Sequence, residues 1–166
     1  MGAKSAISVE QYLRTSFPDL DKEYRDGEIV ERSLPDYLHS KTQFLLLVFF
    51  GAFRKTHSVF PCAELRLKLG QGLYLIPDVC VFHSVEPQLA VPDSPPLVVI
   101  EIVSSDDRQT KVREKLEKYR TWGVPHVWLA DPYGKHMYTC DAGLNEVAEL
   151  RIPELGIVVT PADIFE

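Results

Sequence analysis

Residues 96–103 read Pro-Leu-Val-Val-Ile-Glu-Ile-Val. A strand this apolar has no face to give to water, so it belongs inside a sheet covered on both sides. That requirement points to a layered domain. Glu101 is the exception within the run. An ionised carboxylate there is costly unless it is paired, hydrogen-bonded or bound to a metal. The plainer alternative is a glutamate at the end of the strand, held by a backbone N–H or an arginine.

A second carboxylate interrupts the apolar run Tyr74 to Phe82, which contains Pro77-Asp78. An Asp after Pro is by itself more often a turn residue than a ligand. Strand alternation puts Asp78, Cys80 and Phe82 on one face. Neighbouring strands lie about 4.8 Å apart, so Asp78 and Glu101 on consecutive strands can share one hard cation such as Mg²⁺.

The rest of the chain supplies the layers. Ser8 caps a short helix over 8–14, and Tyr24 to Arg32 reads as a hairpin around Asp26-Gly27. Pro35 to Lys55 is long enough to be a helix. It is apolar nearly all round at Phe44 to Phe50, which predicts burial on more than one side, as at a subunit interface. Val59 to Leu69, Leu73 to Phe82 (broken by Pro77) and Leu97 to Val103 read as strands, with a Pro-rich surface loop at 86–96. Thr110 to Trp122 has helical spacing and stops at Gly123. Val124 to Ala130 is a strand, and His136–Cys140 with Glu146–Ile152 forms a closing hairpin around Ala142-Gly143. The order helix, three strands, helix, strand, plus a C-terminal hairpin, describes an α/β (α+β) domain with a central mixed sheet flanked by helices. Residues 1–166 read as one such domain.

Helix 110–122 offers a cation. Around its stripe of Val112, Leu116 and Tyr119, Lys115 lies roughly 65–70° from the centre, Lys111 about 105° and Lys118 about 125°. Lys115 is therefore the lysine nearest the sheet. On helix phase alone, a lysine covering the helix flank explains it better than a functional role.

Composition narrows the classes. A net charge of −6 argues against non-specific gripping of nucleic acid by a basic surface. Cys62, Cys80 and Cys140 show no CxxC spacing, which argues against zinc and fits a reducing cytoplasm. The most apolar run is about half as long as a membrane span requires. His57, His83, His126 and His136 have no ligand spacing on a shared element. Glu23, Glu31 and Glu64 read as solvated charge.

The same residues carry a family resemblance. Pro77-Asp78-Val, Glu101-Ile-Val-Ser104, Lys115 to Tyr119 and Gly123-Val-Pro-His-Val-Trp128-Leu-Ala-Asp131-Pro132 occur in order. Together with Asp26-Gly27-Glu28-Ile-Val, His39 and the closing Ile152-Pro and Pro161 to Phe165, they resemble the Uma family of the PD-(D/E)XK nuclease superfamily over nearly the whole chain. The resemblance implies a restriction-endonuclease-like core and Mg²⁺-dependent (or Mn²⁺-dependent) hydrolysis of DNA. It implies catalytic roles for Asp78, Glu101 and Lys115, and a metal held by Asp78, Glu101 and the backbone carbonyl of Ile102. Val103 stands where the superfamily usually has lysine, and Lys115 on the next helix matches the family's replacement. Glu28, Lys111 and His39 are possible additional members. A homodimer would place two sites on opposite strands. The alternative reading is a catalytically silent member that binds nucleic acid or a protein; a third is a hydrolase of another phosphodiester.

Overall fold

The computed structural model describes residues 6–17, 22–105 and 109–166. Its elements run α1 (Val9–Arg14), β1 (Glu23–Arg25), β2 (Glu28–Val30), α2 (Tyr37–Ala52), α3 (Arg54–His57), β3 (Val59–Ala63), β4 (Leu67–Gly70), β5 (Leu73–Leu75), β6 (Val79–His83), β7 (Val98–Ile102), α4 (Gln109–Trp122), β8 (His126–Asp131), β9 (His136–Cys140), β10 (Leu144–Val147), β11 (Leu150–Ile152), β12 (Ile157–Val159) and α5 (Pro161–Phe165). A six-stranded sheet has the order β10-β9-β8-β7-β6-β3, and a four-stranded sheet the order β2-β1-β5-β4.

β7 is buried along its whole length, as its apolar run requires. It pairs parallel with β8 and antiparallel with β6. A parallel pair needs a crossover, and α4 supplies it. That helix ends at Gly123, whose φ of 105° few other residues adopt. One face of the large sheet packs against α2 and α5 through Leu46, Phe50, Ile100, Trp128 and Ile164. The other packs against α4 through Leu116 and Tyr119, with Leu67 and Leu75 from the small sheet. Burial of each large side chain in these layers contributes about 1.5–3 kcal/mol.

Pro77 marks a change of sheet. β5 belongs to the small sheet and β6 to the large one, so Ile76-Pro77-Asp78 joins the two. The expected single run from Val59 to Leu69 is likewise divided. Glu64, at φ 50°, turns the chain out of β3 before β4 enters the small sheet. β3 is an edge strand with Pro61 opposite Val81. Hydrogen bonds join Ser84 N to Ser58 O and Glu64 N to Asp78 O. Because ladder bonds alternate along an antiparallel pair, the ring nitrogen of Pro61 faces away from β6.

Two further expectations change. The closing hairpin pairs His136–Cys140 with Leu144–Val147, and Leu150–Ile152 pairs instead with Ile157–Val159. Helix α2, capped by Asp36, buries one stripe of His39, Thr42, Leu46 and Phe50. Within one chain it is not buried on several sides, because Phe44 and Val48 remain 62% and 53% exposed. Phe50 stacks on Trp128 with ring centroids 6.3 Å apart. Phe50→Ala is expected to lower unfolding free energy by about 3–5 kcal/mol in urea titration, through lost burial and the cavity left behind.

Candidate active site

Asp78 directly precedes β6, and Glu101 is the fourth residue of β7. Val79 pairs with Ile100, and one further step of that antiparallel register sets Asp78 opposite Glu101. Both side chains are nearly buried, at 5% and 7% exposure for the residues. They reach the floor of a cleft of about 680 Å³ that Lys115, His39, Ile102, Glu28 and Lys111 also line.

Each carboxylate has its own partners. Asp78 Oδ2 accepts the Ile102 backbone N–H at 2.7 Å and lies 3.3 Å from His39 Nε2. Asp78 Oδ1 accepts from Arg32 Nη2 at 2.9 Å. Gln43, one turn beyond His39 on α2, donates to the Asp78 carbonyl at 2.9 Å. Lys115 Nζ lies 2.9 Å from Glu101 Oε1 and 2.8 Å from Glu23 Oε1, and donates to the Ile76 carbonyl at 2.8 Å. The Glu23 Oε1 also accepts the Ile76 N–H, and its Oε2 holds Arg25.

The cluster departs from the expectation chiefly at Glu23 and Arg32. Glu23 is a buried member, not solvated charge, because β1 pairs with β5 and lies beside the Ile76 connector. Glu64 lines the cleft and lies 3.4 Å from Arg32 Nη1. His39, a possible additional member, is buried against Asp78. Arg32 is a member that sequence reasoning passed over. Glu31 is exposed and paired with Lys22, as solvated charge should be. Glu28 and Lys111 stay exposed at the mouth of the cleft.

Two acids thus compete for one ammonium. Burial favours the neutral form of Glu23, yet Lys115 and Arg25 outweigh it and hold that carboxyl below its usual range. For Glu101, burial is the largest influence, and Asp78 and Glu23 add to it. Lys115 offsets only part, leaving Glu101 at about 8. Burial of Lys115 opposes its charge but is overcome by Glu101, Glu23 and Asp78, so its pKa rises and it stays protonated at neutral pH. Burial also opposes charge on Asp78, and His39, Lys115 and Arg32 reverse the effect, so it stays ionised.

The donors suit a hard divalent cation. Glu101 Oε1 is buried and receives no hydrogen bond, although Lys115 stands beside it. A cation would relieve that oxygen. Among the described residues no three His, Cys, Asp or Glu side chains are grouped to hold a metal alone. Mg²⁺ characteristically uses one or two carboxylates and keeps water, so Asp78, Glu101 and a backbone carbonyl form an adequate set.

The family described as Uma2, "Putative restriction endonuclease", matches residues 9–166. The chain belongs to the Uma2 family. Among solved structures, one described as a "putative nuclease belonging to DUF820" from Anabaena variabilis is similar, with a TM-score of 0.82 and 22% identity. The match covers 96% of this chain and 97% of that one. It shows that the nuclease-like fold of this Uma2 member is shared. No curated protein matches the sequence.

The state of Glu101 sets a pH dependence. Without metal, the folded protein keeps a proton on Glu101 that the unfolded chain releases above its ordinary value of 4.5. Stability from this group therefore falls as pH rises from 4.5 to about 8 and levels off above. In Glu101→Gln this component disappears, so the variant's Tm advantage over wild type in EDTA should grow between pH 5 and 8. A constant difference across that range would refute the assignment.

Proposed function

We propose that the chain is a divalent-metal-dependent endonuclease acting on DNA. The observation that supports this reading best is the meeting of Asp78, Glu101 and Lys115 at one end of the β6–β7 pair, inside a cleft. Asp78, Glu101 and the Ile102 carbonyl would hold Mg²⁺ or Mn²⁺. A cation so held lowers the pKa of a water molecule and offsets charge on the phosphate. Lys115 keeps its proton, so its role is to donate hydrogen bonds and stabilise the charge that develops on the phosphate, not to act as general base. His39 and the Ile102 N–H fix the orientation of Asp78. Glu23 fixes Lys115.

A second copy of the chain is the partner this reading assigns to α2. Tyr37, Phe44 and Val48 are 77%, 62% and 53% exposed on that helix. Two antiparallel copies related by a two-fold axis would bury this stripe against itself. They would also bring Asp36 at one end near Arg54 and Lys55 at the other. No described helix is long and apolar enough to cross a membrane. All three cysteines are free thiols, which suits a reducing cytoplasm.

Purified protein should nick or linearise plasmid DNA when Mg²⁺ or Mn²⁺ is added. Asp78→Ala, Glu101→Ala and Lys115→Ala should each reduce the rate by at least about 100-fold. Undiminished cleavage in all three variants would refute the site assignment, and no cleavage by wild type with either metal would support the silent-member reading. Light scattering should give a dimer mass for wild type and a monomer mass for Phe44→Asp, with an unchanged circular dichroism spectrum. A wild-type monomer at all concentrations refutes the partner assignment.

A further inference from the structure

Arg32 stands in the segment between β2 and α2, outside any helix or strand. Its side chain is only 10% exposed, and its guanidinium lies 2.9 Å from Asp78 Oδ1 and 3.4 Å from Glu64 Oε1. It neither holds the cation nor positions Lys115. We propose that Arg32 is an internal counter-ion that occupies the metal-facing oxygen of Asp78, leaves when a divalent cation enters, and then binds a phosphate of the nucleic acid. This inference rests on the metal-dependent reading of the site.

The geometry of Asp78 leads to it. Oδ2 is engaged by the Ile102 N–H and by His39. Oδ1 is the oxygen left for a cation, and Arg32 holds it. A Mg²⁺ or Mn²⁺ at about 2.1 Å from an oxygen takes the space and the lone pairs that a guanidinium needs. Two like charges on one oxygen also repel, so metal and Arg32 exclude each other there.

Lys115 does not share this freedom. It projects from a helix and is bound to the Ile76 carbonyl, Glu23 and Glu101 at once. Among the described residues Arg32 is held by two carboxylates, and the side chain of Glu64 is itself 41% exposed. Loss of Asp78 as partner leaves Arg32 the longer pair to the exposed Glu64.

The cleft gives the released guanidinium its destination. Its described lining carries seven Asp and Glu against four Lys and Arg, an excess that repels a polyanion. A cation entering the cleft removes part of that excess, and a guanidinium freed from Asp78 supplies a planar fork that matches two phosphate oxygens. Metal entry and nucleic-acid binding are thereby coupled through one side chain.

The test is calorimetric titration with Mn²⁺ alone on wild type, Arg32→Ala and Arg32→Gln, with cooperative melting checked for each. Both variants should bind Mn²⁺ roughly tenfold or more tightly than wild type, because the competitor is gone. A merely structural Arg32 gives the opposite sign, since its loss would loosen the site and weaken binding. With saturating Mn²⁺, anisotropy with a nuclease-resistant phosphorothioate duplex should show weaker binding in both variants, by about tenfold for one lost charged hydrogen-bond pair. Wild-type Mn²⁺ binding that the variants match or fall below overturns the Arg32 assignment alone. Unchanged duplex affinity overturns its phosphate role. Absence of Mn²⁺ binding in all three proteins overturns the metal reading and this inference with it.

Discussion

The ammonium of Lys115 is the point on which the site and much of the fold depend. It touches α4 by descent, β7 through Glu101, β1 through Glu23 and the sheet-to-sheet connector through the Ile76 carbonyl. Four segments far apart in sequence are therefore tied to one buried charge. Such a charge is tolerable only while its acceptors stay in place. The acceptors are in turn tolerable only while the charge does. Binding site and joint between the sheets are thus one electrostatic unit.

That unit is unbalanced: it holds more carboxylate than one ammonium can satisfy. Lys115 serves both Glu23 and Glu101, and Glu101, buried with Asp78 close by, is left favouring a proton. Under the metal-dependent reading proposed for it, a site that prefers a proton would release it on binding a cation, which would link metal affinity to pH. The fold tolerates this because β7 is anchored by apolar burial along its whole length, which is independent of how Glu101 is charged.

The parts of this arrangement legible in the sequence are those where polar residues break an apolar pattern. Asp78 and Glu101 stood out for that reason, and helix phase ranked Lys115 above Lys111 and Lys118. Glu23 gave no such signal. It sits beside Lys22 in a charged stretch, and its burial arises from β1 pairing with β5, some fifty residues on. Arg32 lies outside any periodic element, so no pattern exists to rank it. His39 and Gln43 share a helix face by their spacing of four, but nothing local reveals that this face meets Asp78. The β11–β12 hairpin is hidden in the sequence because Leu150 to Ile152 continues the alternation of the residues before it. The turn at 153–156, with Gly156 at φ 64°, was the available sign.

Pro61 has a consequence for how copies of this chain can meet. The large sheet ends at β3, and an open edge is a template on which another strand can polymerise. The ring nitrogen of Pro61 faces that edge and offers it no donor, so a foreign strand would lose a ladder bond in the middle of its run. Open-ended growth into fibres through this edge is thereby discouraged. The exposed stripe of α2 presents side chains and no open ladder, so it offers no such template.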